Sequence, residues 1–327
     1  MDVRLVTHEG VESYPVEKLD DLLARPDGFV WVDIPPEDPA AVQVLSEVFG
    51  FHRLAVRDSV ERNRVPRVHL YADHVFVVLH APERGMAGHV HYIELDQFIG
   101  PRYLVTVHGP LNPAVNAEVA ARETGAVLRR LEEGRFSPSS PFELSYAIVT
   151  ALCRQQEAFV EILTREVWKL EQEVTRGHIG DPEQFLEELF RARHGLIAVR
   201  TMGALSRESY GRMAAVGRSV PPEARKLVED IEDQFDRVRR VAEGEKEYLQ
   251  GVIEFYQTRT ETKMTIAAER LAVIAAVTLP ITALSSIVGM NVIVNERTHW
   301  WTLALLLMVM VAMSGMLLRW ARKQGWW

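Results

Sequence analysis

Two uncharged apolar runs close together near the C-terminal end constrain this chain more than any other feature. Leu271 to Val288 is eighteen residues without a charge, interrupted only by Thr278, Pro280, Thr282, Ser285 and Ser286. Trp300 to Leu318 adds nineteen more, with Thr302, Ser314 and Gly315 as its small or polar members. Each reaches the roughly 18 to 20 residues that cross about 30 Å of hydrocarbon as a helix. Trp300 and Trp301 open the second run, and Trp320, Trp326 and Trp327 follow it, as aromatic anchors at a lipid–water boundary do. The pattern predicts two transmembrane helices; the close spacing and these flanks disfavour a hairpin buried in a soluble core.

Charge divides the chain at the same place. From Arg270 onward five cations face Glu296 alone, a net +4, which leaves −12 on the first 269 residues out of a total of −8. Such an acidic part repels nucleic-acid phosphates and gathers cations, although ordinary solubility charge explains it equally well. Lys263 and Arg270 precede the first run, a basic tail follows the second, and the connecting loop holds one Arg and one Glu. The positive-inside rule therefore puts both termini in the cytoplasm, in a multi-pass protein of the plasma membrane. The N-terminus has no charged-then-apolar signal region. The lone Cys153 makes no intrachain disulfide, and no cysteine cluster is present to hold zinc.

Upstream, residues 1–140 read as a cytoplasmic α/β domain. Strands are expected at Val3–Thr7, Phe29–Ile34, Val75–Leu79, His91–Ile99 and Tyr103–His108, with helices at Pro39–Phe49 and His52–Arg62. Residues 141–222 read as a helical hairpin region, Phe142–Thr175 and Pro182–Met213, punctuated by glycine and proline turns. A stalk helix at 223–270 runs into a first span at 271–291. A loop at 292–299, a second span at 300–320 and a basic tail at 321–327 complete the division. With only Gly244 and Gly251 as weak breaks, stalk and first span read as one helix of about 100 Å.

Counting in sevens back from Gly289 gives Thr282, Ala275, Ala268, Glu261, Glu254 and Glu247, a stripe that keeps to one side of a helix with about 3.5 residues per turn. With Leu271, Thr278 and Ser285 it stays mostly small or hydroxylic in the apolar run and acidic below. Several copies around an axis would line a narrow conduit with it. A solvated acidic face and close helix packing account for the same pattern.

The run Leu279-Pro280-Ile281-Thr282-Ala283-Leu284-Ser285-Ser286-Ile287-Val288-Gly289-Met290-Asn291, ahead of a second span, resembles the CorA family of divalent-cation transporters. Trp31-Val32-Asp33-Ile34, Phe49 to Asp58 and Arg102 to His108 look like that family's cytoplasmic signatures. The resemblance implies a homopentamer with a CorA-like architecture: an α/β N-terminal cytoplasmic domain, long stalk helices and two C-terminal transmembrane helices. It implies Gly289, Met290 and Asn291 at the outer mouth, with Asn291 receiving a hydrated Mg²⁺. It further implies oxygen rings at Thr282 and Ser286, apolar constrictions at Leu279 and Leu271, and Thr265 and Glu254 towards the cytoplasmic end. Asp58 on one subunit, with Asp230 and Asp233 on its neighbour, would hold a regulatory Mg²⁺, and Glu296 would attract cations outside.

This sequence departs from the family pattern at Val288 and Val292, where aromatic residues are common, in the loop around Glu296, and at Arg57, where an acid is frequent. The function expected is potential-driven influx of Mg²⁺, with Co²⁺ or Ni²⁺ as further cargo, gated by internal Mg²⁺ and using no organic cofactor. Zinc transport, with or without proton coupling, is the alternative, with His69, His74, His80, His89 and His91 in its favour. A membrane-anchored sensor or enzyme is a third reading. The first 270 residues show no nucleotide-binding, hydrolase or metalloprotease motif, so the chain does not read as an enzyme.

Overall fold

The structure is a computed structural model that describes residues 1–327 apart from 111, 178–180, 217–219, 293–299 and 324–327. The chain divides into two compact units, Met1–Val252 and Ile253–Trp327. The first is built on seven strands: β1 (Asp2–Val6), β2 (Val11–Tyr14), β3 (Phe29–Ile34), β4 (Arg67–Leu70), β5 (Val75–Arg84), β6 (Val90–Ile99) and β7 (Tyr103–His108). They form one sheet in the order β2-β1-β3-β7-β6-β5-β4. β3 and β7 run parallel, and the other neighbours are antiparallel. Gly28 admits the chain into β3 at φ +86°; a Cβ there would lie 2.2 Å from the Val6 carbonyl oxygen.

Helices cover both faces of the sheet, which explains why β5 reads as an almost unbroken apolar run. One face, carrying Val30, Val32, Phe76, Phe98 and Val105, packs with Leu19 and Leu22 of α1 (Leu19–Ala24), Ala41 of α2 (Ala41–Gln43), and Ala55 and Val56 of α3 (Arg53–Val60). A π turn at Val44–Val48 extends α2 and buries Val44 and Leu45. The helix expected over 39–49 is thus two shorter pieces. Beyond β7, α4 (Ala117–Ala120) leads into α5 (Arg122–Glu132).

The opposite face carries Trp31, Val77, Leu95 and Leu104. It packs with Val127 of α5, Ile148 of α6 (Pro141–Arg176), Tyr210 of α7 (Pro182–Val216) and Phe235 of α8 (Arg225–Val292). Ser140 caps α6, its hydroxyl accepting from Glu143 N at 3.2 Å, and the left-handed Gly177 ends it. Gly203 lets α7 and α8 approach closely, since a Cβ would sit 3.2 Å from the Phe235 carbonyl oxygen.

The strands expected at Phe29–Ile34 and Tyr103–His108 have those bounds, and β5 continues to Arg84. The short edge strands β2 and β4 and the helices α1, α4 and α5 add to the sequence reading. The second unit contains the distal part of α8 and all of α9 (Trp300–Lys323). Residues 293–299 of the expected loop, Glu296 among them, and 324–327 of the tail lie outside the described residues.

Candidate functional site

The stripe on distal α8 is an open face. Ala268, Ala272, Ala275, Leu279, Thr282, Ser286 and Gly289, spaced alternately by four and three, are all exposed, as are Thr265, Leu271, Thr278 and Ser285 beside them. About half a turn away, Val273 is buried and Ala276, Val277, Pro280, Ile281 and Leu284 are half-buried. The helix therefore presents one partly covered side and one small, hydroxyl-rich side. Along that side Thr282 Oγ1 donates to Thr278 O at 2.9 Å, and Thr278 Oγ1 to Ile274 O at 2.8 Å. These bonds satisfy each hydroxyl proton within the helix and leave oxygen lone pairs outward.

Leu279 is 66% exposed and Leu271 is similarly open. Glu254, Glu261 and Glu247 continue the same count and are exposed. Met290 and Asn291 belong to the last turn of α8, and their side chains lie outside the described part. Among the described residues one helix, within Pro222–Ser286, is long and apolar enough to cross a membrane, and 6% of its apolar window is buried. Trp301, Leu305, Met308, Val311 and Met316 of α9 are exposed as well. Apolar surface of this extent needs lipid or further protein against it.

The regulatory carboxylates expected from sequence lie on α3 and proximal α8. Asp58, with a side chain 15% exposed, places Oδ2 3.0 Å from Arg67 Nη2 and Oδ1 3.5 Å from Arg57 Nη2. Asp230 is exposed, and its Oδ2 accepts from Tyr146 Oη and Gln234 Nε2, both at 2.7 Å. Asp233 is exposed. Among the described residues no three His, Cys, Asp or Glu side chains are grouped to hold a metal. As acceptors these acids suit a hard cation, yet within one chain Asp58 is already ion-paired.

A polar cluster behind Asp58 escaped the sequence reading. Asn63 donates its backbone N–H to Glu94 Oε2 at 2.7 Å, and its amide to Glu94 Oε1 at 2.5 Å and Asp58 O at 2.6 Å. Its own Oδ1 accepts from Arg67. Burial raises Glu94 to about 7 against the pull of the Asn63 donors, and it lowers the neighbouring His80 to about 4. Asp96, buried with neither oxygen hydrogen-bonded among the described residues, is raised well above the usual range by burial and then by Glu94. The signal that was available is two carboxylates, Glu94 and Asp96, two residues apart in the strand expected at His91–Ile99.

The family model described as CorA-like Mg2+ transporter protein matches residues 26–323. The chain belongs to the CorA-like family. It is 23% identical to the cobalt/magnesium transport protein CorA of Thermotoga maritima over 293 residues, 87% of this chain and 79% of that one. The complete CorA magnesium transporter from Methanocaldococcus jannaschii shares its fold at a TM-score of 0.80 and 15% identity, over 100% of this chain and 99% of that one. The ZntB cytoplasmic domain from Vibrio parahaemolyticus aligns at 0.61 and 11% identity, over 80% of this chain and 98% of that one. As a CorA-family protein the chain is a membrane transporter of divalent metal ions and not an enzyme.

In this CorA-family chain two of the sequence signatures meet as a structural network. β3 and β7 set Trp31 Nε1 3.1 Å from Thr106 Oγ1, which donates to Asp33 Oδ1 at 2.5 Å; His108 Nε2 is 2.9 Å from the same oxygen. Burial opposes both charges, but their mutual bond outweighs it, holding Asp33 below and His108 above their ordinary values. The histidines weighed for zinc are dispersed. His80 bonds Asn63 O, His74 bonds Asp73, and His91 bonds Asn112.

Glu94 gives the domain a measurable pH dependence. Its folded value near 7 lies above the ordinary 4.5, so the folded state holds the proton more tightly. Its contribution therefore falls as pH rises from about 4.5 through 7. Gln does not titrate. The stability of Glu94→Gln relative to wild type should rise across that window by about 3 kcal/mol, read by thermal unfolding at pH 5 and pH 8. Subtracting wild type removes the opposite slope of His80; a flat difference would contradict the assignment.

Proposed function

We propose that this chain is a Mg²⁺ channel in which copies of α8 line the conduction path with their exposed small-residue face. The observation that supports this most strongly is the exposure of that face from Thr265 to Gly289, opposite a partly covered side from Val273 to Leu284. One such face cannot enclose a pore, so a ring of copies is required, and the CorA family implies five. Thr282 and Ser286 would present rings of hydroxyl oxygens, and Leu279 and Leu271 rings narrow enough to close by dewetting. Asn291 carbonyls at the outer end suit an ion that keeps its water shell, as Mg²⁺ does. Glu296 outside, and Glu254 with Thr265 at the other end, would concentrate or pass cations. The charge distribution supports a plasma-membrane protein with both termini in the cytoplasm.

Asp58, with Asp230 and Asp233 of a neighbouring copy, are the residues that would hold a regulatory cation. Bringing these acids together is unfavourable without one, so occupancy would favour a closed assembly. Asn291→Ala tests the pore assignment: Mg²⁺ uptake by proteoliposomes should fall roughly tenfold, as expected for a lost ring of ion-facing acceptors. Unchanged uptake removes Asn291 from the filter. Wild-type uptake of Zn²⁺ in preference to Mg²⁺ and Co²⁺ would move the chain to the zinc reading.

A further inference from the structure

We infer that Arg67 is a built-in competitor for the cation at Asp58 and sets how tightly that site binds a divalent ion. This rests on the regulatory role proposed for Asp58. The guanidinium lies 3.0 Å from Asp58 Oδ2, on the carboxylate that a metal would use. It is not a loose surface ion. Arg67 opens β4 in register with Val78 of β5, and its guanidinium also donates to Asn63 Oδ1. Asn63 is itself fixed by two bonds to the carboxylate of Glu94, a residue 5% exposed on β6, and by one to Asp58 O. The competitor is thus carried on the sheet and braced by a buried acid.

An arginine stays protonated at every physiological pH, and its planar fork matches a carboxylate. A divalent cation at Asp58 must displace the Nη2 contact on Oδ2 or share the oxygen pair with a fixed positive charge nearby. Arg57, 3.5 Å from Oδ1 and 59% exposed, adds a weaker contact on the other oxygen. Both contacts oppose metal binding, so the regulatory affinity of this chain is set by its own guanidinium groups.

The test is calorimetric titration of Mg²⁺ into the purified full-length protein in detergent. Arg67→Gln should tighten binding about tenfold, since the repulsion of a divalent ion by a unit charge a few ångströms away exceeds that even when well screened. Arg67→Lys, which keeps the charge, should stay near wild type. Arg57→Gln, at an exposed position, should give a smaller gain of about threefold. Asp58→Asn added to Arg67→Gln should abolish the gain. Arg67→Gln within twofold of wild type, or a gain that survives Asp58→Asn, overturns the inference. If Asp58→Asn alone weakens binding while neither arginine substitution strengthens it, the competition is wrong and the metal site stands. If none of these changes alters binding, both readings fall.

Discussion

Thr282→Lys should reduce divalent-cation uptake by about 100-fold or more while the protein still inserts and folds. Thr282 is exposed in the middle of the stripe, one heptad from both Ala275 and Gly289. Among the described residues its side chain is hydrogen-bonded to its own helix, through Thr278 O. Thr282 is exposed among the described residues, so lysine there replaces no buried side chain. In the proposed assembly, however, it places one ammonium per copy around the axis. Two unit charges 4 Å apart interact by about 4 kcal/mol at an effective dielectric of 20. A divalent ion doubles each such repulsion, and about 2.7 kcal/mol already corresponds to 100-fold.

The cost of placing one lysine in a spanning helix, about 2.5 to 3.5 kcal/mol, is small beside the apolar content of Leu271 to Val288. Insertion is checked by alkaline extraction, and Thr282→Ser, which keeps the hydroxyl, should retain most uptake. Uptake by Thr282→Lys within threefold of wild type would remove the stripe from the conduction path.

The features that were legible from sequence share a physical cause. β3 and β7 were bounded correctly because each is mostly β-branched, aromatic or aliphatic, with Asp33 in β3 and His108 in β7 as the polar interruptions near the end. Gly28 and the pair Gly109-Pro110 break the pattern at one end of each strand. The stripe on α8 was legible because a heptad repeat of small residues survives without tertiary information, and the structure leaves that side uncovered.

β2 and β4 were missed because four residues such as Val11-Glu12-Ser13-Tyr14 carry too little periodicity. In α5, Val127 and Leu131 are the buried apolar residues, but Gly125 and three arginines diluted the signal. The Asp58 environment was illegible for a different reason. Arg67, Asn63 and Glu94 meet only through the register of β4 on β5 and β5 on β6. Glu94 and Asp96 alternate along β6, and the burial of both comes from the tertiary structure.

The central claim is a passive Mg²⁺ path, and membrane potential tests it most directly. Moving a divalent ion inward gains about 4.6 kcal/mol per 100 mV, twice the single-charge value. At equilibrium that sustains a concentration ratio of roughly 2,000. The measurement is Mg²⁺ entry into proteoliposomes of the full-length protein at an imposed inside-negative potential of about 100 mV, without ATP or a pH gradient. The account predicts entry that grows with the potential, vanishes when it is collapsed, and exceeds entry of Zn²⁺. Entry that ignores the potential, or that requires a pH gradient and carries Zn²⁺ instead, would contradict it.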